Sequence, residues 1–305
     1  MSVTTICLLG FGEVGQILGD DLSPGTDQAL RAFDLLFADA DSGPSRAAAT
    51  RRAISPAPSA SEAATGCDLV VSVVTASEAL AAARSVAPSL TAGCYYLDLN
   101  SVSPQTRRDT RDVIETAGGR FVEGAVMSPI EPRRIESPIL LGGPHATGFA
   151  GPAIELGFTG SRVYSDEIGA ASAVKMCRSV IIKGVEALLA ESLAAARHFG
   201  AEDEVLESLG NVLPLENWRD EGWRDKARYM IARSLQHGER RAGEMREVAA
   251  TVAEAGLDPH MSSATAVRQQ WAAQYSHAVA ADLPEMLDAL LGASEDETRD
   301  VAFDG

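Results

Sequence analysis

A glycine motif near the N-terminus constrains the fold more than any other feature of this chain. The segment Leu8–Gly15 contains G-x-G-x-x-G directly after an apolar stretch. In such a motif Gly10 makes a tight turn, Gly12 lets a pyrophosphate approach the backbone, and Gly15 lets a helix pack closely on a strand. The amides at the start of that helix bind the anion. A plain strand-to-helix turn would explain the motif alone, so the sequence around it decides the interpretation.

The first half of the chain alternates short apolar runs with alanine-rich segments, which is typical of strands joined by crossover helices. Strands are predicted at residues 4–9, 34–38, 69–74, 95–99, 120–125 and 139–142. The predicted fold class is α/β, with an N-terminal Rossmann-type, doubly wound parallel sheet. In this setting the motif predicts that NAD or NADP binds at Gly10, Phe11, Gly12, Glu13, Val14 and Gly15.

The choice between NAD and NADP depends on the end of the second predicted strand. Asp39 lies 24 residues after Gly15, close to the spacing of a carboxylate that binds the ribose hydroxyls and repels a 2′-phosphate. Asp39 therefore favours NAD. Asp41 is an alternative ribose ligand. Three arginines could instead meet a phosphate or coat an exposed helix; they are Arg46, Arg51 and Arg52.

Composition excludes several classes of partner. The 26 Lys and Arg against 43 Asp and Glu give a net charge of −17, which repels nucleic acid and anionic lipid. The cysteines lack C-x-x-C spacing, so we expect no metal site and four reduced core thiols in a cytoplasmic protein; they are Cys7, Cys67, Cys94 and Cys177. Neither a secretion signal nor a membrane-spanning segment is predicted.

The strand pattern ends near residue 164, which predicts a dinucleotide-binding domain at 1–164 and a helical substrate and dimerisation domain at 165–305. A long interdomain helix is predicted at 168–199. Further helices are predicted at 203–210, 216–234, 238–255, 261–279 and 283–291. We expect a homodimer, because a long apolar helix and a small helical domain are difficult to bury in a monomer.

The long helix carries a polar stripe. Ser172, Lys175, Ser179, Lys183 and Glu186 fall within about 80 degrees of arc. The stripe is either the solvated face of an amphipathic helix or, since the remaining circumference is mostly apolar, part of a buried helix. In the second case a desolvated Lys175 has a lowered pKa and can transfer a proton at neutral pH.

Two further segments accompany the glycine motif, Asp98–Pro104 and Gly169–Ser179. Together the three resemble the β-hydroxyacid dehydrogenase family, relatives of 6-phosphogluconate and 3-hydroxyisobutyrate dehydrogenases, over roughly the first 200 residues. The family's helix motif is G-x-x-x-x-x-K-x-x-x-N, so the resemblance implies that Lys175 is the general acid/base. Ser179 replaces the usual asparagine and can still donate a hydrogen bond to a substrate hydroxyl or carboxylate.

The segment Glu123–Pro129 resembles the family's D-A-P-V-S-G-G substrate loop. Met127 takes the place of the substrate-binding serine, and Ser128 lies beside it. Either Ser128 takes over the contact or the substrate carries an apolar group at this point.

The resemblance also implies contacts at the ends of two central strands. Asn100 and Ser101 match the family better than the substrate loop does, and Ser101 would contact the substrate or the nicotinamide ribose. Val74 and Thr75 would border the cofactor, with Asn100 beside them.

The C-terminal third contains the segments His237–Ala249 and Gly256–Pro259. They resemble a subgroup with a C-terminal domain of unknown function, DUF1932, here at about residues 190–270. On a helical wheel His237, Arg241 and Glu244 border the apolar face, and half-buried charges need partners. Either these residues pair with one another or pack at a subunit interface, or His237 or Arg241 binds the substrate.

The resemblance therefore implies an NAD(P)-dependent oxidoreductase that transfers a hydride between the nicotinamide and a β-hydroxy acid or related alcohol. Its partner would be a small-molecule substrate, and Lys175 would remove the hydroxyl proton. One alternative is an NADPH-dependent imine reductase, against which the retained lysine argues. Another is a non-catalytic dinucleotide-sensing protein, which Met127 and the missing asparagine suggest.

Overall fold

The structure is a computed structural model that describes residues 3–22, 29–212 and 222–292. Contacts along the chain group it into two units, residues 1–177 and 178–305. The division falls inside the long helix, C-terminal to the predicted boundary at residue 164.

One sheet organises the N-terminal unit. Its described strands are β1 (Thr5–Leu9), β2 (Ala29–Phe33), β3 (Ile54–Pro56), β4 (Leu69–Ser72), β5 (Tyr95–Asp98), β6 (Arg120–Val126), β7 (Ile139–Gly142) and β8 (Ser161–Ser165). Their order is β3-β2-β1-β4-β5-β6-β7-β8. Only the pairing of β6 with β7 is antiparallel. The mostly parallel sheet confirms the predicted α/β class. The prediction missed β3, which has three residues, and β8, which is largely exposed and lacks an apolar signature.

The strand predicted at residues 34–38 is wrong. β2 ends before Asp34, and Leu35–Ala38 forms a 3₁₀ helix. Asp34 begins this turn, because its carboxylate accepts a hydrogen bond from the backbone N of Leu36 at 2.9 Å. Leu36 is 53% exposed, so this apolar run is not core. Asp39 therefore ends the 3₁₀ turn and not a strand.

Helices cover both faces of the sheet, because side chains along a strand alternate between the faces. Ile6 and Leu8 belong to one apolar cluster, whereas Cys7 and Leu9 belong to the other. The first cluster includes residues from α1 (Glu13–Leu22), α2 (Gly43–Ala49) and α6 (Ala146–Glu155). The second includes residues from α3 (Ala60–Ala64), α4 (Ala79–Val86) and α5 (Pro104–Thr116). The sheet is therefore wound on both sides.

The four cysteines are free thiols. Three of them are buried, and burial raises the pKa of Cys67 to about 11 and that of Cys94 to about 12. Cys177 is exposed. The expectation that all four lie in a core is therefore wrong for Cys177.

The long helix α7 (Ala170–His198) is present as predicted. The described part of the C-terminal unit continues with α8 (Glu202–Val212), α9 (Trp223–Glu254), α10 (His260–Ala272) and α11 (Leu283–Gly292), and is helical as expected. No described helix of the chain is long and apolar enough to cross a membrane.

One continuous helix, α9, replaces the two helices predicted at 216–234 and 238–255; residues 216–221 lie outside the described residues. Gly238, predicted as a helix start, lies inside α9. A Cβ at Gly238 would lie 2.3 Å from the carbonyl oxygen of Gln269. Glycine is therefore needed here for the close approach of α10, not for a break.

Candidate functional site

The glycine turn after β1 has the geometry of an anion-binding turn. Gly10 has φ +100°, and a Cβ there would lie 2.6 Å from the carbonyl oxygen of Val73. A Cβ at Gly15 would lie 2.2 Å from the carbonyl oxygen of Gly10, whereas a Cβ at Gly12 would meet no atom within 4 Å. The first and third glycines are thus required by the fold itself. The second leaves open space at the N-terminus of α1, which fits a dinucleotide pyrophosphate.

Phe11, between the first two glycines of the motif, makes contacts within the protein. The Phe11 ring is fully buried and packs on Phe37, with ring centroids 5.8 Å apart. The Phe11 backbone N donates to the Asp34 carboxylate at 2.7 Å. Asp34 therefore ties the end of β2 to the glycine turn, and the predicted cofactor contact of Phe11 does not involve a free amide.

Asp34 is a candidate ribose ligand that the sequence analysis missed. It lies 19 residues after Gly15 and directly after β2, the position of the ribose carboxylate in this type of fold. Asp39 is exposed and accepts a hydrogen bond from the backbone N of Asp41 at 2.9 Å. Of the arginines that could meet a phosphate, Arg51 is paired with Asp20 at 2.7 Å.

Asn100 connects the ends of β4 and β5. It is 2% exposed, and its side chain accepts a hydrogen bond from the backbone N of Val74 at 2.7 Å and donates to the Ser72 hydroxyl at 2.9 Å. Thr75 and Ser101 follow these two strands at the carboxyl edge of the sheet, where ligands of open α/β sheets bind. Asn100 therefore fixes the loops that carry the other predicted cofactor and substrate contacts.

Met127 packs at the start of α7. It lies on an apolar cluster with Ala125, Leu140 and Ala171, and Val174, the neighbour of Lys175, packs on the same cluster. Met127 thus contributes apolar packing beside the helix. The neighbouring Ser128 hydroxyl donates to the carbonyl oxygen of Pro129 at 2.9 Å.

The sheet holds the first turn of α7, which carries Lys175. The Glu123 carboxylate on β6 is fully buried and accepts hydrogen bonds from the backbone N of Gly169 at 2.7 Å and of Ser172 at 2.5 Å. Lys175 lies three residues after Ser172 and is half-buried. The candidate acid/base therefore follows directly after the turn that Glu123 anchors.

The later part of the polar stripe belongs to the C-terminal unit and is buried, so its interpretation as a solvated face is wrong there. Lys183 and Glu186 are 8% and 2% exposed. Lys183 pairs with Glu244, and Glu186 with Arg241. Burial lowers the pKa of Lys183, and the carboxylate of Glu244 opposes this shift.

These contacts support the pairing alternative for Arg241, whose guanidinium is bound to a carboxylate of the same unit. Burial lowers the pKa of Arg241 to about 10. Glu186 also faces Arg233 at 3.6 Å. His237 is half-buried one turn earlier on α9, and Ser179 is half-buried on α7.

The comparisons with known proteins agree with this architecture. The family described as the NAD binding domain of 6-phosphogluconate dehydrogenase matches residues 5–146, and the domain of unknown function DUF1932 matches residues 196–272. A conserved hypothetical protein from Sinorhizobium meliloti 1021 is 36% identical, with 94% of this chain and 96% of that chain covered and a TM-score of 0.70.

Two further structures are similar over most of their length. A conserved protein of unknown function, described as structurally similar to 3-hydroxyacid dehydrogenases, is 30% identical, with 88% of this chain and 97% of that chain covered and a TM-score of 0.64. The 3-hydroxyisobutyrate dehydrogenase of Mycobacterium tuberculosis, determined with L-serine, is 17% identical, with 96% and 99% covered and a TM-score of 0.68. At 17% identity, the similarity to this last structure shows a shared fold only.

Proposed function

Because the chain belongs to the family that joins the NAD binding domain of 6-phosphogluconate dehydrogenase to DUF1932, we propose that it transfers a hydride between a nicotinamide cofactor and a β-hydroxy acid or related alcohol. One observation carries the proposal. The N-terminal unit combines an open glycine turn with a lysine, Lys175, on a helix whose first turn is bound to the sheet.

In this proposal the nicotinamide, when bound, supplies the hydride acceptor for oxidation and the donor for reduction. The turn from Gly10 to Gly15 holds the pyrophosphate, and Val74, Thr75 and Asn100 border the cofactor. Neutral Lys175 accepts the proton of the substrate hydroxyl, and in reduction its ammonium returns that proton to the carbonyl oxygen.

The remaining predicted residues are assigned to the substrate. In the N-terminal unit they are Ser101, Met127 and Ser128, and in the C-terminal unit Ser179, His237 and Arg241. Met127 packs in an apolar cluster, which favours a substrate with an apolar group there. Since Arg241 is bound to Glu186, its substrate role requires that Glu186 share the guanidinium.

A matched pair of glycine variants tests the cofactor site. Gly12→Val adds a side chain where no atom lies within 4 Å, so the protein should fold while NADH affinity falls by about a hundredfold or more. Gly15→Ala places a methyl group against the Gly10 carbonyl and should destabilise the fold itself. Fluorescence titration with NADH, beside thermal unfolding, measures both effects. Unchanged NADH binding by Gly12→Val would mean that the motif is only a turn.

Cofactor choice is tested by titrating the wild-type protein, Asp34→Asn and Asp39→Asn with NADH and NADPH. We propose NAD, because an acid at either position repels a 2′-phosphate. The variant of the true ribose ligand should lose about tenfold in NADH affinity. Asp41→Asn tests the third candidate, and Glu155→Gln on the exposed surface of α6 is the control. Tighter binding of NADPH by the wild type would contradict this and point to Arg46 or Arg52.

Lys175→Met tests the mechanism, with Arg178→Met on the same helix as the control. Loss of a general acid/base should lower kcat by about 10²–10⁴-fold while NADH affinity stays unchanged. A screen of β-hydroxy acids with NAD, and of imines with NADPH, separates the proposed reaction from imine reduction. NADH binding without turnover on either class would favour a sensing protein.

We also propose a homodimer, in a cytoplasmic setting. On α7, Ile181 and Leu188 are 67% and 56% exposed and lie seven residues apart on one helix face. Ile181→Glu should shift the sedimentation coefficient from dimer to monomer at micromolar concentration, whereas Glu191→Gln should not. A wild-type monomer would contradict this part of the proposal.

A further inference from the structure

A row of polar side chains crosses the buried sheet beside the glycine turn. The strand register aligns Ser72 with Asp98, Asp98 with Glu123, and Glu123 with Gly142. The side chains of Ser72, Asp98 and Glu123 are fully buried. Two buried carboxylates on adjacent strands are costly unless both are compensated. The groups that compensate these two carboxylates therefore indicate the role of the row.

Arg107 on α5 compensates the first carboxylate. Its guanidinium is 2.8 Å from Asp98 Oδ1 and donates to the carbonyl oxygens of Asp98, Asn100 and Gly124 at 2.6, 2.5 and 3.2 Å. Glu123 lies further away, with 4.0 Å between Arg107 Nε and Glu123 Oε1. One cation thus faces two carboxylates, and a net negative charge remains on Glu123.

The first turn of α7 compensates that remaining charge. Both oxygens of Glu123 accept backbone hydrogen bonds, from Gly169 and Ser172, and the helix N-terminus carries roughly half a positive charge. Gly142 leaves the room for this arrangement, because a Cβ there would lie 2.8 Å from Glu123 Oε2. The site is shaped for an ionised carboxylate with two accepting oxygens.

We infer that Glu123 is a positioning residue that fixes the first turn of α7 and, through it, the place of Lys175. The inference rests on the proposed role of Lys175 as the acid/base. Lys175 follows Ser172 by three residues, about one turn of the same helix, so the anchored turn sets its backbone position. Arg107 holds the Asn100 carbonyl as well, and the Asn100 side chain holds the backbone N of Val74. Arg107 therefore supports the cofactor edge, whereas Glu123 supports the turn that precedes the acid/base.

Glu123→Gln is the main test, because it keeps the size of the side chain while its amide N–H faces a backbone donor. Glu155→Gln, on the exposed surface of α6, is the matched control. Amide exchange in the peptide 169–176 should be about tenfold faster in Glu123→Gln than in the wild type, the equivalent of a lost helix cap. Peptides from β1 should keep their exchange rates.

Lysine labelling reports the position of Lys175 without any substrate. The chain has three lysines, and Lys183 and Lys226 belong to the other unit and serve as internal references. With an amine-reactive reagent followed by peptide mass spectrometry, the labelling rate of Lys175 should change at least threefold in Glu123→Gln. The rates of the two references should stay constant.

Kinetics supply the third readout. In Glu123→Gln, kcat should fall about tenfold or more while NADH affinity stays within about twofold, because the glycine turn is untouched. Glu123→Asp keeps the charge but shortens the reach, so it should recover part of the loss. Faster exchange with unchanged Lys175 labelling and unchanged kcat would reduce Glu123 to a structural cap and overturn the inference.

The failure of this inference is distinguishable from that of the proposed function. If the wild type binds no NADH and turns over no substrate, the proposed function fails, whereas exchange and labelling still test the anchoring. If Glu123→Gln does not fold, Glu123→Asp and the wild type are used to test the anchoring instead. The amides of Gly169 and Ser172 in the wild type should then be as protected as the core strand β5, and exchange as fast as in an exposed loop would overturn the inference.

Discussion

The two units solve the problem of buried charge in different ways. In the N-terminal unit, Arg107 binds one carboxylate and three backbone carbonyls, and Glu123 binds two backbone amides. In the C-terminal unit, the buried pairs Lys183 with Glu244 and Arg241 with Glu186 join side chains of α7 and α9. The first network is bonded to the backbone, whereas the second is bonded mainly to itself.

This difference predicts which of the two networks can be replaced by apolar residues. A charge pair that binds only its partner can be exchanged for two apolar residues of similar size at little cost, because the desolvation penalty disappears with the charges. A charge that satisfies backbone groups has no such exchange, since the carbonyls and amides remain buried when it is removed. The N-terminal network should therefore be indispensable and the C-terminal one exchangeable.

Arg107→Met should produce the largest effect. It leaves Asp98 without this counter-ion and removes one donor from each of three backbone carbonyls, so the N-terminal unit should lose about 4 kcal/mol or more. All three tryptophans lie beyond residue 217, so hydrogen exchange of β5 reports this unit. Arg108→Met, which removes a half-buried arginine bonded to Gln105, should cost about 0.5 kcal/mol. Equal losses in the two variants would contradict the comparison.

Lys183→Met should have the next largest effect on stability. It removes the buried cation that is paired with Glu244 and should destabilise the C-terminal unit by about 3 kcal/mol. The double variant Lys183→Met with Glu244→Leu should recover most of that loss, to within about 1 kcal/mol of the wild type. Tryptophan fluorescence in urea measures both. A double variant as unstable as the single one would show that this network also holds the backbone.

How far the sequence predicts the molecule depends on the range of the interactions. The glycine turn and α7 were predictable because their signals are local, a fixed spacing and a long apolar period. The strand at residues 34–38 was wrong because Leu36 is an exposed apolar residue, and because the carboxylate of Asp34 stabilises a turn there. Local hydrophobicity cannot report such a cap.

The partners of Glu123 were not predictable from the sequence. Its parts come from β5, α5, β6 and α7, and in the sequence Arg107 reads as one of several arginines on a polar helix. Glu123 carried a signal, an acid inside an apolar strand, because such an acid must have a buried partner. The partner follows only from the strand register and from the close approach of α7.

Alkaline pH should separate the two units. Burial raises the pKa of Cys67 to about 11 and of Cys94 to about 12. The unfolded chain ionises these thiols near their ordinary value of 9, so above pH 9 the N-terminal unit should lose about 1.4 kcal/mol per pH unit for each thiol. Lys183 affects the pH dependence of stability in the opposite direction. Its pKa is lowered by burial, so its deprotonation in the fold stabilises the C-terminal unit as pH rises toward its unfolded pKa.

The two slopes are measured by urea unfolding between pH 8 and 10.5, with β5 exchange and tryptophan fluorescence as the separate signals. Cys67→Ala should flatten the decline of the N-terminal unit. Cys177→Ala, at an exposed thiol, should leave it unchanged. Parallel declines in both units would mean that tyrosines or the net negative charge dominate.

Arg240→Met should have the smallest effect, and it tests the boundary of the C-terminal network. The guanidinium of Arg240 lies 3.9 Å from the Glu244 carboxylate, and its side chain is 45% exposed, whereas that of Arg241 on the same helix is 4% exposed. Water and salt screen the exposed pair, so its loss should cost at most about 0.5 kcal/mol and should vanish in high salt. A salt-independent cost several times larger would mean that Glu244 needs both cations. The C-terminal charges would then act as one unit, as those around Arg107 do, and exchange for apolar residues would fail.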